Sequence, residues 1–89
     1  MSYEILFAPE AVEDLRALAA GVRAEVCGCI ERHLRHTPTR TSKSRIKRLR
    51  GLVRPQYRLR VGDDVRVFYD VTTDTVGVLG IVPKSRAIE

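Results

Sequence analysis

The segment YRLRVGDDVRVFYD, residues 57–70, constrains the fold more than any other part of the chain. Two short runs alternate apolar and other residues, and Gly62, Asp63 and Asp64 separate them, a common length for a hairpin connection. With this connection Val61 pairs with Val65, and Tyr57, Leu59, Val67 and Tyr69 share their face. The segment therefore predicts a β-hairpin with one apolar face, on which both tyrosines belong to the core.

The opposite face of this hairpin is basic. It carries Arg58, Arg60, Arg66 and Phe68, with Arg60 directly across from Arg66. Like charges opposed on a sheet are destabilising, so this surface, which we call the arginine face, predicts an anionic ligand. Phe68 is a candidate for stacking on a nucleic-acid base.

The residues before the hairpin indicate a strand and two helices. YEILFA, from Tyr3 to Ala8, fits a short strand. Pro9 and the acidic residues after it favour the start of a helix, and Gly21 is a plausible stop. Apolar residues four apart predict a second helix from about Val22 to His36. Helices joined so closely are expected to form an antiparallel hairpin.

Three further segments complete the chain. Thr37 to Ser42 is a loop by composition. Ser44 to Gly51 is basic, and Ile46 and Leu49, three apart, suggest one or two helical turns. Thr75 to Val82 is an apolar third strand of the C-terminal half. The predicted order is β-α-α-β-β-β in one domain, residues 1–89. This is an α+β fold with the helical hairpin on one face of a small, mostly antiparallel sheet.

The face on which each side chain of the last strand lies depends on the length of the turn before that strand. A two-residue turn at Thr73 and Asp74 would put Leu79 and Ile81 on the arginine face. A three-residue turn would put Val76, Val78 and Val82 there instead.

Composition narrows the class of protein. The 89 residues can build one modest core. No apolar run approaches the roughly 20 residues of a membrane span, and the first residues do not resemble a secretory signal. A cytoplasmic protein without membrane contact is expected.

Charge is unevenly distributed along the chain. The net charge is +5, and residues 32–62 contain eleven Lys or Arg and no Asp or Glu. Such segregation predicts a surface for a polyanion. Within it, residues 40–50, the basic segment, are candidates for RNA-backbone contact: Lys43, Arg45, Lys47, Arg48 and Arg50.

Cysteines and histidines favour structural roles. Cys27 and Cys29 fall inside a predicted helix, where i and i+2 side chains diverge, so they are interpreted as helix residues with at least one buried. No spacing indicates a metal site, and no cofactor is expected. His33 borders the apolar stripe and His36 lies at the helix end, so both are interpreted as structural.

With these elements in order, the chain resembles the RelE/ParE superfamily of bacterial type II toxin–antitoxin toxins. The likeness rests on the element order, on Lys47-Arg48-Leu49-Arg50-Gly51, on YRLRVGDDVRVFYDV, and on the closing VLGIVPKSRAIE. It covers essentially the whole chain. The block from Lys47 to Asp70 looks more like the RelE branch than the ParE branch.

The resemblance implies an activity and site residues. RelE-type toxins are ribosome-dependent endoribonucleases that cut mRNA, whereas ParE-type toxins poison DNA gyrase. Matched position by position, Arg58, Arg60 and Arg66 correspond to basic residues of the hairpin strands in RelE-like proteins. Lys84 and Arg86 correspond to the basic segment after the last strand.

The implied chemistry is metal-free RNA cleavage, in which the 2′-hydroxyl attacks the adjacent phosphate. Arg60, Arg66 and Arg86 suit stabilisation of the phosphoryl oxygens, because a guanidinium pairs two oxygens at once. Arginine is a poor base, since its pKa stays above about 12. The first hairpin strand has arginines where relatives can have lysine, so Lys84 is the candidate general base or acid.

Three functions remain open at this stage. The first is a ribosome-dependent mRNA endonuclease that inhibits translation. The second is a gyrase-poisoning toxin without chemistry of its own. The third is an inactive relative that acts only with its antitoxin in operator binding. The resemblance implies a cognate antitoxin that folds on binding, and operator DNA as a partner only through that antitoxin.

Overall fold

The computed structural model describes residues 2–51 and 53–83. Two helices and five strands follow one another in the order β1-α1-α2-β2-β3-β4-β5. Their bounds are β1 Glu4–Phe7, α1 Pro9–Arg16, α2 Ala20–Leu34, β2 Ile46–Arg48, β3 Tyr57–Val61, β4 Val65–Val71 and β5 Thr75–Pro83.

The strands form a single sheet in the order β1-β5-β4-β3-β2. β1 runs parallel to β5, and the other neighbours are antiparallel. The predicted α+β class and mostly antiparallel sheet are thus confirmed, with one strand more than the sequence indicated.

The additional strand is β2, in the segment for which helical turns were predicted. That prediction is wrong because Ile46 pairs with Leu59 of β3 and is buried beside it. Leu49 lies beyond the strand, where its amide donates to the carbonyl of Gln56 at 2.8 Å. Ile46 therefore pairs with β3, and the backbone of Leu49 bonds the residue just before β3. The two apolar residues do not share one side of a helix.

The first helix does not end at Gly21, the residue that the sequence predicted as its stop. α1 ends at Arg16, and Gly21 lies inside α2. The guanidinium of Arg23 donates to the carbonyls of Leu15, Arg16 and Leu18, so an arginine satisfies the end of α1 in place of a glycine. No helix in residues 2–51 or 53–83 is long and apolar enough to cross a membrane.

One hydrophobic core joins both helices to the same face of the sheet. α1 packs against β5 and β1, and α2 packs against β3. The fully buried members come from both layers: Ala11, Val26, Ile30, Leu34, Leu59, Val67, Tyr69, Val76, Val78 and Ile81. Cys29 is buried among them, as predicted for at least one cysteine, and both cysteines are free.

The last strand follows neither predicted alternation. Val76 and Val78 pair with Val71 and Tyr69 on the core face, and Ile81 pairs with Val67 on that same face. A β-bulge between Phe68 and Tyr69 shifts the register, so both ends of β5 contribute to the core. Val82 alone of the proposed residues lies opposite Arg66 on the arginine face.

Candidate functional site

The arginine face forms with the register that the alternation predicted. Arg60 lies opposite Arg66, and Arg58 lies opposite Phe68. β2 adds Lys47, which pairs with Arg58 and therefore lies on the same face. Four basic side chains thus come from three adjacent strands, on the side of the sheet away from the helices.

Two of these arginines are buried, whereas the alternation predicted an exposed basic face. Arg66 is 1% exposed and Arg58 is 5% exposed, whereas Arg60 is half-buried. Arg66 Nη1 donates to the carbonyl of Val65 at 3.3 Å. Buried charges persist in proteins when they are paired or hydrogen-bonded, and both buried arginines have interactions within the protein.

The side chain of Arg60 contains one donor that has no hydrogen-bond partner among the described residues. Its Nε is buried and has no hydrogen-bond acceptor among the residues that the structure describes. A buried donor without an acceptor costs free energy, so the packing around Arg60 carries a small penalty.

A carboxylate lies on the same face but is already occupied. Asp70 Oδ2 accepts from Arg54 Nε at 2.7 Å, and Asp70 Oδ1 accepts from the amide of Gln56 at 2.7 Å. Gln56 Oε1 in turn accepts from the amide of Val71 at 2.8 Å. Asp70 therefore holds the segment before β3 against β4, and its charge is balanced by Arg54.

The five candidates of the basic segment separate around the edge of the sheet. Lys47 is on the arginine face, whereas Arg48 lies on the other face with its guanidinium 5.0 Å from the ring centre of Tyr57. Arg45 turns toward α2, where its Nη1 lies 3.9 Å from Cys29 Sγ. Lys43 and Arg50 are exposed on either side of β2. The basic segment thus surrounds the β2 edge of the sheet, which we call the basic edge, instead of forming one surface.

The two tyrosines of the hairpin belong to the core, as predicted. Their rings stack with centres 5.4 Å apart, and the hydroxyl of Tyr69 donates to the carbonyl of Pro38 at 2.6 Å. Burial, together with nearby Tyr57, raises the pKa of Tyr69 far above its usual value, so this hydroxyl is a structural donor.

His33, for which the sequence predicts a structural role, lies near the end of α2. It is half-buried on α2 and lines a cavity of about 370 Å³ on the helix side of the sheet. Burial, and then the charges of Arg45 and Arg32, lower its pKa below the ordinary 6.5. His36 is exposed just beyond α2. Sequence patterning missed this cavity because its lining comes from α2, the following loop and the start of β2.

Lys84 and Arg86 lie outside the described residues, so their predicted roles remain predictions. In residues 2–51 and 53–83 no group of three or more His, Cys, Asp or Glu could hold a metal ion.

The fold is that of toxins found in toxin–antitoxin complexes. A chain of the archaeal RelE–RelB complex from Pyrococcus horikoshii matches with a TM-score of 0.75 and 26% identity, covering 98% of this chain and 100% of that one. A chain of the RelB–RelE complex from Methanococcus jannaschii matches at 0.66 and 25%, covering 90% and 91%. A chain of the RelBE2 complex from Mycobacterium tuberculosis matches at 0.80 and 23%, covering 96% and 94%.

The sequence itself defines the family. Residues 5–88 match the family model of the ParE toxin of the type II toxin–antitoxin system parDE, and the chain belongs to this family. No curated protein sequence matches it. The predicted RelE/ParE superfamily membership is therefore confirmed. The protein is a toxin of a type II toxin–antitoxin pair, with a cognate antitoxin protein as its partner.

Proposed function

We propose that this toxin is a ribosome-dependent mRNA endoribonuclease whose arginine face holds the phosphate at the cleavage point. The observation that supports this most directly is the Arg60–Arg66 pair, two cations directly opposite each other on adjacent strands. Arg60 is the half-buried member of this pair, so its side chain is the one that a phosphate can reach from solvent.

The reaction needs no metal. The 2′-oxygen forms a bond to phosphorus as the bond from phosphorus to the 5′-oxygen breaks. The 2′-hydroxyl proton passes to a base, and the leaving 5′-oxygen receives a proton from an acid. Arg60 stabilises the charge that develops on the phosphoryl oxygens, and the buried Arg66 and Arg58 add positive charge beside it.

Lysines are the candidates for proton transfer. Lys84 carries this role by family likeness, with Arg86 beside it in the sequence as a further phosphate contact. Lys47 is a second candidate, because it pairs with Arg58 and is exposed on the arginine face. His33 and Tyr69 lie on the helix side of the sheet and are not used.

Gyrase inhibition is the second candidate function. It is favoured by the description of the matching family, the ParE toxin, whereas the structures most like this chain include RelE–RelB complexes. A gyrase inhibitor would use the basic edge for binding and would leave RNA intact.

One experiment separates the two functions. The toxin is expressed in bacteria, the 5′ ends of cellular mRNA are mapped, and gyrase supercoiling is assayed in parallel. Codon-phased cuts with normal supercoiling are expected. Intact mRNA with inhibited gyrase would replace the nuclease by the ParE function, and no effect on either would identify an inactive relative.

Variants then test the arginine face. Arg60→Gln together with Arg66→Lys keeps one charge and most of the buried volume, and is expected to reduce cleavage by at least about a hundredfold, the scale of losing a preorganised donor. Arg16→Gln is the matched control, because Arg16 is exposed on α1 and its guanidinium forms a surface ion pair with Glu13. Antitoxin binding and thermal unfolding verify that each variant folds. Undiminished cleavage in the folded double variant would exclude this face.

A further inference from the structure

A second basic site lies on the opposite side of the sheet from the arginine face. The cavity of about 370 Å³, which we call the helix-side cavity, is formed by the end of α2, the loop after it and the start of β2. Its volume is in the range of small-ligand sites. It is lined by Arg32, His33, Thr37, Arg40, Thr41, Ser42, Arg45 and Ile46.

The lining of this cavity is cationic and rich in hydroxyl groups. It contains three arginines, one histidine and three hydroxyl residues, and no acid. The ion pairs seen among residues 2–51 and 53–83 join other residues: Arg16 with Glu13, Arg35 with Glu31, and Arg54 with Asp70. The cavity therefore concentrates positive charge that these carboxylates do not balance, which attracts an anion.

Hydrogen bonds fix the wall of the cavity in place. Arg45 Nη1 donates to the carbonyl of Arg60 at 3.2 Å, and the amide of Arg60 donates to the carbonyl of Arg45 at 2.8 Å. The amide of Arg45 also donates to Ser42 Oγ at 3.0 Å. An anion site built on such a fixed wall loses little conformational entropy when the ligand binds.

We propose that the helix-side cavity binds a phosphate group of an RNA backbone, as a second RNA contact separate from the arginine face. The proposal rests on the proposed function only in naming RNA as the molecule that carries the phosphate. Arg32 and Arg40, both exposed at the cavity, supply guanidinium donors, and Thr41 and Ser42 supply hydroxyl donors. The hydroxyl of Thr37 donates to the carbonyl of His33 at 3.4 Å.

A polyanion fits this cavity better than a single carboxylate because the basic surface continues beyond it. Arg48 and Lys47 lie on opposite faces of β2, between the cavity and the arginine face. Arg45 of the cavity is bonded directly to the backbone of Arg60. A strand that carries a phosphate at every nucleotide can follow this path around β2. An acidic segment of the antitoxin is the competing occupant.

His33 reports whether the cavity is filled. Its pKa is lowered by burial and by the charges of Arg45 and Arg32, and Arg40 also lines the cavity. A bound phosphate opposes those charges and favours the imidazolium form, so the pKa of His33 is expected to rise when the anion binds.

The first test follows the two imidazoles by NMR in the 89-residue chain. Inorganic phosphate, and then a 2′-O-methyl RNA hexamer that cannot be cleaved, are titrated across pH 5–8. Both ligands are expected to raise the pKa of His33. If neither ligand changes His33, the proposal is wrong. If an acidic peptide of the antitoxin raises the pKa and the RNA does not, the site belongs to the antitoxin and the RNA assignment is wrong.

The second test removes one cavity charge. Arg40→Gln is compared with Arg16→Gln, which removes the same charge from an exposed position on α1. For a single bound phosphate, the slope of log affinity against log salt for the hexamer is expected to fall by about 0.7 in Arg40→Gln alone. Equal slopes in both variants would overturn the proposal.

The two proposals can fail separately. If the phosphate and the hexamer raise the pKa of His33 but cellular mRNA stays intact, the nuclease function is wrong and the phosphate site stands. If mRNA is cleaved and the hexamer leaves His33 unchanged, the nuclease function stands and the cavity is not an RNA site.

Discussion

The two edges of the sheet, β1 and β2, differ in charge and in how they are held. At the β1 edge the amide of Glu4 donates to the carbonyl of Asp74 at 2.9 Å, and Asp14 of α1 accepts the amide of Ile81 at 2.9 Å. At the β2 edge a three-residue strand presents Lys47 and Arg48 on opposite faces. One carboxylate, that of Asp14, completes the first edge, whereas exposed cations cover the other.

The contacts at the β1 edge serve the fold, whereas the charges at the β2 edge are available to a ligand. At the β1 edge, Asp14 bonds a backbone amide that points away from β4, beyond the end of β1, so a charged side chain replaces a missing strand. At the β2 edge, Lys47 and Arg48 are exposed, and the guanidinium of Arg48 contacts the ring of Tyr57. Both are accessible to an external polyanion, and β2 is anchored by its pairing with β3 and by its one buried side chain, Ile46.

The largest expected effect tests that anchor. Ile46→Ala is expected to lower the free energy of unfolding by about 2–5 kcal/mol, because Ile46 is buried against Leu59 and truncation leaves a cavity. Leu6→Ala on β1 is the matched control, since Leu6 is 50% exposed, and about 0.5 kcal/mol or less is expected there. Urea unfolding measures both. Similar losses would contradict the idea that the edges are held differently.

A smaller effect is expected at the β1 edge. Asp14→Ala removes the acceptor of the Ile81 amide and is expected to cost about 1–3 kcal/mol, the scale of leaving a partly buried donor unsatisfied. Glu13→Ala, one residue earlier and exposed, removes only a surface ion pair and serves as the control. Equal stability of the two variants would show that water satisfies this amide.

The smallest effect concerns pH on the basic side. Because the folded-state pKa of His33 is lowered, the unfolded chain binds more protons as pH falls below about 6.5, and folding stability is expected to decrease there. His33→Gln should flatten the stability profile between pH 7 and pH 5. Thermal unfolding at each pH measures this. A steeper profile in His33→Gln would reverse the assigned sign.

The hairpin was predictable because its alternation and its three-residue connection agree. Val61 faces Val65, Leu59 faces Val67 and Arg60 faces Arg66, as the pairing predicted. Register in such a hairpin is fixed by local chemistry, since a slip of one residue would bury the arginines against the helices. The helical start at Pro9 was predictable for the same reason, because proline suits a first turn.

Other features depend on partners distant in sequence. β2 has one buried residue in three, too few for any periodicity, and it is a strand because β3 is beside it. The end of α1 depends on Arg23, which reaches back across the turn to three carbonyls. Tertiary packing likewise determines the burial of Arg58 and Arg66 and the position of the helix-side cavity. The alternation of residues along a strand carries no information about such packing.

The bulge between β4 and β5, in which Leu79 of β5 is the extra residue, has a consequence for how this chain can change during evolution. Val76 and Val78 lie in the core in one frame of alternation, and Ile81 lies there in the other. Loss of a single residue between Val78 and Ile81 would therefore remove the bulge and leave Val76, Val78 and Ile81 on one face in regular alternation. A one-residue deletion there is expected to be tolerated better than a deletion between Val76 and Val78, where the alternation is unbroken and every later side chain would change face.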